Sequence, residues 1–206
     1  MAELNNKVIL PHEYNQFAHQ VTHFKKIGKP YKPRVNWDRI NLIIFDCDGV
    51  LTDGKIIYGC NGEELKNFDA HDGMGFQLLR FSHVRTAVIT GRSSAALERR
   101  CQDLKIDYLY QGVANKLEKT RELLKELKLD FCNLLYMGDD WNDIPVMNVA
   151  AVSVCPADAA RDVAAMADYV MLASGGRGAV RECIELVLNN KTIYEQAVND
   201  YLAKIS

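Results

Sequence analysis

From Ile40 to Leu188, short apolar runs alternate with longer stretches of helical periodicity, and this alternation constrains the fold more than any other feature. Runs suited to buried strands occur at NLIIFD, VRTAVIT, IDYLY, NLLYMGD, VAAVSV and DYVML. Between them lie DGMGFQLLRF, SSAALERRCQDL, NKLEKTRELLKELKL and AARDVAAMA. In the third of these, Leu117, Leu123, Leu124 and Leu127 fall on one face, as a helix covering a sheet requires. Strand and helix alternating in this way predict an α/β fold with a doubly wound, mostly parallel sheet. One piece breaks the pattern. IIYGCNGEELKNF holds two short runs around Asn61-Gly62, which predicts a short β-hairpin after the first strand.

The first forty residues read differently. They hold Pro11, Pro30 and Pro33, and seven Lys/Arg against three acidic residues. A helix is expected over His12–Ile27, with Tyr14, Phe17, Ala18, Val21 and Phe24 along one face, followed by an extended KPYKPR linker. The expected organisation is an N-terminal extension over 1–40, a main domain over 41–190 and a C-terminal helix or tail over 191–206. The extension reads as an accessory helix docked on the main body, with a basic partner-recruiting arm as the alternative. A net charge of −2 gives no argument for nucleic acid or an anionic membrane surface. No apolar run approaches the roughly 18 residues of a membrane span, and the N-terminus lacks the pattern of a secretory signal. The six cysteines form no CxxC pair and sit in apolar segments, so they are expected to be reduced thiols in a cytoplasmic protein.

In an open parallel sheet, ligands bind outside the carboxyl ends of the strands. The polar residues of this chain gather there. The first strand runs into Asp46-Cys47-Asp48-Gly49, the second into Thr90-Gly91-Arg92, and the fourth into Gly138-Asp139-Asp140, with Asp143 close behind. Lys116 follows the third strand at the start of its helix. Singly, each of these reads as a turn. Together they answer the needs of phosphoryl transfer. One carboxylate attacks phosphorus, and a second two residues on protonates the leaving oxygen and later deprotonates water. Crowded carboxylates repel unless a cation joins them, and Mg²⁺ takes oxygen ligands while neutralising phosphate charge. A threonine hydroxyl and a lysine bind the phosphoryl oxygens as charge shifts.

FDCDGVLTDG, VITGR, GVANKL and YMGDDWNDIPVM resemble the four motifs of the haloacid dehalogenase-like (HAD) phosphatases, and the likeness covers about Asn41 to Leu188. More narrowly, DGVLTDG, the NGEELKNF hairpin and GGRGAVRE resemble the 3-deoxy-D-manno-octulosonate 8-phosphate (KDO-8-phosphate) phosphatases of the capless branch. The resemblance implies Asp46 as nucleophile and Asp48 as acid/base. It implies Mg²⁺ held by Asp46, the Asp48 backbone carbonyl and Asp139, with Asp140 and Asp143 supporting. Thr90 and Lys116 would hold the phosphate. Sugar contacts would come from Asp69, Ala70, His71, Asp72 and Gly73, and from Gly91, Arg92 and Arg100. Family members often carry arginine where this chain has His71 and Gln77. The hairpin from Lys55 to Phe68 carries Ile56, Ile57 and Tyr58 with nothing in its own chain to cover them, which predicts a homo-oligomer; the resemblance points the same way, to a homotetramer acting on a small sugar phosphate.

Other readings stand beside this one. The nine-carbon relative, 2-keto-3-deoxynonate 9-phosphate, is the rival substrate. Its phosphatases tend to place glutamate where this chain has Arg92. A phosphotransferase or mutase is a further option, and a non-catalytic assembly module would be expected to have lost a motif carboxylate. Cys155-PADAA-Arg161 has cysteine-phosphatase spacing but lacks the glycines that would wrap a phosphate. Gly175-Gly176-Arg177-Gly178 reads as a helix cap or subunit contact, or else as a phosphate-cradling loop. GDDWND matches only one end of a calcium loop.

Overall fold

In the computed structural model, which describes residues 35–61 and 64–206, each of the six apolar runs supplies a strand of one sheet. These are β1 (Leu42–Phe45), β4 (Arg85–Ile89), β5 (Tyr108–Tyr110), β6 (Leu134–Met137), β7 (Val152–Cys155) and β8 (Tyr169–Val170). Their order is β5-β4-β1-β6-β7-β8, and every neighbouring pair is parallel. β2 (Ile57–Tyr58) and β3 (Glu64–Leu65) form the separate hairpin, paired Ile57↔Leu65 and Tyr58↔Glu64. The expected turn residue Gly62 lies outside the described residues.

Successive side chains of a strand point to opposite faces, so a strand apolar throughout needs cover on both. All four residues of β1 are fully buried. Ile43 and Phe45 join a core shared with α1 (Ala70–Leu79), α2 (Ala95–Leu104), α6 (Ala179–Asn190) and α7 (Tyr194–Ile205). Leu42 and Ile44 join a second core with α3 (Lys116–Leu127), α4 (Ile144–Val149) and α5 (Arg161–Met166). Each such buried side chain contributes about 1.5–3 kcal/mol relative to exposure. The α3 stripe falls as the periodicity requires: Leu123 and Leu124 are buried, with Leu117 and Leu127 against the same core. α4 was not evident in the sequence, because Pro145 reads as a breaker. It sits in the first turn, where its missing N–H has no helical partner to lose.

The helix expected over His12–Ile27 and the KPYKPR linker lie outside the described residues. Where the description begins, Val35 and Trp37 pack on the core, and Trp37–Arg39 makes one 3₁₀ turn. Lys191, at the end of α6, donates to the carbonyls of Trp37, Asp38 and Ile40 at 3.0, 3.2 and 3.1 Å. At the other end of the chain, α7 buries Ala197 in the same core. Among the described residues no helix is long and apolar enough to cross a membrane. The registers Phe45↔Val88 and Phe45↔Met137 bring the ends of β4, β1 and β6 into line. Asp46, Thr90 and Asp139 therefore leave the sheet at one edge.

Candidate active site

Asp46 follows β1 directly, and its N–H donates to Met137 O at 2.9 Å, extending the ladder by one bond. The chain then turns through a kinked loop, Cys47–Leu51, closed by the Thr52 N–H donating to Cys47 O at 3.1 Å, in which Gly49 has φ +87°. A Cβ on Gly49 would stand 2.0 Å from Asp139 Oδ2, so this backbone lies against that carboxylate as only glycine allows. Gly175 is pressed on the same turn from outside, where a Cβ would stand 1.8 Å from Gly49 O. The GGRG motif thus braces this loop and supplies Gly178 as the residue preceding α6.

Three side chains meet behind Asp46. Lys116 is the first residue of α3, whose preceding Asn115 accepts from the Glu118 N–H at 3.1 Å. Lys116 Nζ lies 2.7 Å from Asp143 Oδ1 and 2.9 Å from Asp46 Oδ1. The second contact lacks hydrogen-bond geometry, so it is an ion pair that leaves the Asp46 oxygen open as an acceptor. Asp143 is fully buried and fully used. Its Oδ1 accepts from Lys116 and from the Tyr136 hydroxyl at 2.6 Å, and its Oδ2 from the N–H groups of Asp139 and Asp140 at 3.0 and 3.2 Å. Gly138 makes room, since a Cβ there would meet Asp143 Cβ at 2.4 Å. Tyr136 was not evident in the sequence, where it reads as one more apolar strand residue. Asp140 is exposed and accepts from the Trp141 N–H, outside the cluster.

Oxygens of Asp46, Asp139 and Asp143 lie within 4.8 Å of one another. With Asp143 saturated, the oxygens that remain are Asp139 Oδ1, buried without a partner, and Asp46 Oδ1, which meets only the Lys116 ammonium as an ion pair. Unpartnered buried carboxylate oxygens are costly unless a cation takes them. An all-oxygen donor set suits a hard ion such as Mg²⁺. The electrostatics agree. Burial, then Asp143, pushes the Asp46 carboxyl up to about 6 against the pull of Lys116. Burial, then Asp46 and Asp143, pushes Asp139 up to about 8. A divalent cation between them would offset both shifts by favouring the charged carboxylates. Burial disfavours the Lys116 ammonium, but Asp46 and Asp143 outweigh it and hold its pKa above the ordinary value.

Asp48 faces the hairpin. Lys66 Nζ lies 2.5 Å from Asp48 Oδ1 and 2.9 Å from Glu64 Oε1. Arg92 Nη2 donates to Glu64 Oε2 at 2.5 Å and to the Tyr58 hydroxyl at 3.3 Å. Lys66 and Glu64 were not singled out from the sequence, since a charged hairpin ordinarily reads as a solvated one, and Tyr58 reads there only as an apolar residue. Thr90 is buried, with its carbonyl accepting from the Val113 N–H at 3.0 Å, while Gly91 is exposed.

The expected sugar-contact segment divides. Asp69 caps α1, accepting from the His71 N–H at 2.6 Å, and Ala70 and His71 are exposed. Arg100 Nη2 donates to Asp69 O at 2.7 Å and stands 3.0 Å from where a Gly73 Cβ would be. Asp72 turns the other way. It is buried, and its Oδ1 accepts from the Arg181 N–H at 2.8 Å in the first turn of α6, capping a helix whose own N-cap is a glycine. Burial, outweighing that bond, pushes Asp72 up to about 6. Cys155 is fully buried at the end of β7. A cavity of about 370 Å³ opens at the other end of the sheet, beside Arg85 and Asp107, away from these carboxylates.

The haloacid dehalogenase-like hydrolase family matches residues 103–182. The 3-deoxy-D-manno-octulosonate 8-phosphate phosphatase of Escherichia coli (strain K12) is 47% identical over 151 residues, 73% of this chain and 80% of that one. Its Salmonella typhimurium counterpart is 46% identical over 161 residues, 77% of this chain and 86% of that one. The crystal structure of the Moraxella catarrhalis enzyme, in complex with magnesium, phosphate and KDO, superposes with a TM-score of 0.78. It is 36% identical and covers 80% of this chain and 95% of its own. The cobalt-bound enzyme of Haemophilus influenzae gives 0.74 at 34% identity, covering 79% and 98%. A parallel sheet with no cap domain, a carboxylate–lysine cluster at its edge and this degree of identity converge: the chain belongs to the 3-deoxy-D-manno-octulosonate 8-phosphate phosphatase family of haloacid dehalogenase-like hydrolases.

Proposed function

We propose that this chain is a Mg²⁺-dependent phosphatase that hydrolyses KDO-8-phosphate to KDO and inorganic phosphate through an aspartyl-phosphate on Asp46. The observation that carries this reading is the cluster at the end of β1, where Lys116 forms an ion pair with Asp46 Oδ1 while Asp139 keeps a buried oxygen without a partner beside it. Asp46, Asp139 and the Asp48 carbonyl would hold Mg²⁺, which supplies charge neutralisation for the approaching phosphate dianion. Asp46 attacks phosphorus and Asp48 protonates the departing sugar oxygen. Asp48 then takes a proton from the water that releases phosphate. Lys116 and Thr90 bind phosphoryl oxygens, Lys116 being held in place by Asp143. Arg92, Arg100 and the Asp69–Gly73 segment surround the sugar, with Asp72 acting through α6 rather than by contact.

The reading includes a homotetramer in the cytoplasm. Ile56, Ile57, Tyr58 and Leu65 of the hairpin are 46, 44, 67 and 52% exposed, a patch that association would bury. Light scattering at micromolar concentration should report four copies. The test of function is phosphate release from a panel of sugar phosphates, with and without Mg²⁺. KDO-8-phosphate should be preferred, activity should vanish with EDTA and return with Mg²⁺, and Asp46→Asn should be inactive yet folded by circular dichroism. Full activity after exhaustive chelation, or near-normal turnover by Asp46→Asn, refutes the mechanism.

A further inference from the structure

The hairpin turns an ammonium group inward, onto the loop that follows β1. Its exposed residues stand 44 to 67% in solvent, yet the Lys66 side chain is only 2% exposed. A lysine on so short a ribbon ordinarily snorkels to water. Here it turns inward and is held by two carboxylates, Asp48 at 2.5 Å and Glu64 at 2.9 Å. Burying an ammonium is unfavourable unless it is well paired. Lys66 meets that condition, and the same pairing fixes the orientation of its partners.

The two oxygens of Asp48 are not equivalent. Oδ1 accepts from Lys66 and lies 3.8 Å from the Cys47 thiol, a second weak donor. Oδ2 has Arg92 Nε as a distant charge at 3.9 Å, too far for a hydrogen bond. A carboxylate pinned by one oxygen presents the other in a single orientation, and proton transfer is sensitive to that orientation. Resting on the phosphatase reading above, we propose that Lys66 is the positioning residue for Asp48. It occupies Oδ1 and leaves Oδ2 as the oxygen that gives and takes the proton.

The chemistry balances on that one oxygen. As Asp46 bonds to phosphorus, the bond from phosphorus to the sugar oxygen breaks. Its electron pair stays on that oxygen, which takes the proton from Asp48 Oδ2. Water then attacks phosphorus and gives a proton back to Oδ2, and the bond from phosphorus to Asp46 breaks to restore the carboxylate. Glu64 takes part only by sharing the ammonium, and through Arg92 it ties the same hairpin to the end of β4.

The test compares Lys66→Met, which keeps the length and loses the charge, with Lys66→Arg, which keeps a donor. Kinetics are read on KDO-8-phosphate and on an aryl phosphate, whose phenolate leaves without needing a proton. Lys66→Met should lower kcat on the sugar phosphate by about 10²-fold, the lower end of what acid/base catalysis supplies, with KM within about twofold. Lys66→Arg should recover much of that loss. On the aryl phosphate, Lys66→Met should release one phenolate per site in a burst, because only hydrolysis of the aspartyl-phosphate still needs Asp48. A Lys66→Met enzyme with unchanged kcat overturns the proposal. So does a loss carried by KM, or one accompanied by a collapsed melting transition, since either makes Lys66 a binding or structural residue. Wild-type protein inactive on every phosphate ester removes the phosphatase reading itself, which the Lys66 variants on an active enzyme leave standing.

Discussion

Replacing Tyr136 by phenylalanine separates the stability of the catalytic cluster from its chemistry. The Tyr136 ring is fully buried in β6, and its hydroxyl donates to Asp143 Oδ1 at 2.6 Å. Removing the hydroxyl leaves no unpaired donor, and Oδ1 keeps the Lys116 ammonium at 2.7 Å. The loss is one hydrogen bond to a charged group, about 1.5–3 kcal/mol. In a chain of this size each kcal/mol moves Tm by roughly 2–4 °C, so the melting point should fall by about 3–12 °C. Differential scanning calorimetry on metal-free protein reads this directly. In an Asp143→Ala background the same substitution should be neutral or stabilising, because the hydroxyl has already lost its acceptor. Equal losses in both backgrounds, or a Tm within about 1 °C of wild type in the first, would refute the role given to this bond.

Gly49→Ala should abolish activity and weaken Mg²⁺ binding in calorimetric titration, since its Cβ meets Asp139 Oδ2 at 2.0 Å on a backbone at φ +87°. Asp72 gives a pH signature. Its carboxyl is raised to about 6 in the fold from 3.8, so the stability from the neutral form is present below about pH 4 and lost as pH rises through 6. Asp72→Asn should therefore gain on wild type by roughly 2 kcal/mol between pH 4 and 7 in paired melting curves, and a pH-independent difference would count against the burial argument. Arg92→Glu should lose most of the preference for the eight-carbon over the nine-carbon sugar phosphate in kcat/KM, because reversal of charge inverts the hydrogen-bond polarity of that position.

The sheet was legible because burial on both faces leaves uninterrupted apolar runs, and all six became strands. The cluster at the strand ends was legible for the same reason: Asp46, Thr90 and Asp139 each terminate an apolar run, and Lys116 opens a helix. What escaped was set by tertiary packing. Tyr136 counts as apolar in any periodicity, and only the fold reveals that its hydroxyl finds Asp143. Lys66 is hidden for the opposite reason, since a charged residue on a hairpin gives no sign that it will be turned inward. Asp72 sits within the DGMG segment expected to touch substrate, but its distant partner, the first turn of α6, draws it away. The glycines at 49 and 138 read as turn residues and Gly175 as part of a helix cap, subunit contact or phosphate loop, whereas the space they leave is filled by a neighbouring carboxylate or backbone.

The outer strands of the sheet have a bearing on how copies of this chain meet. β5 has three residues and β8 two, so each rim offers very few free backbone groups to an incoming strand. The hairpin, by contrast, presents bulky apolar side chains on a ribbon two residues deep. In the tetramer proposed above, copies would meet by side-chain packing, which saturates once a closed ring is complete, and not by strand addition, which has no natural end. A concentrated solution should thus reach a fixed particle mass and stay clear, with no growth of thioflavin-binding material.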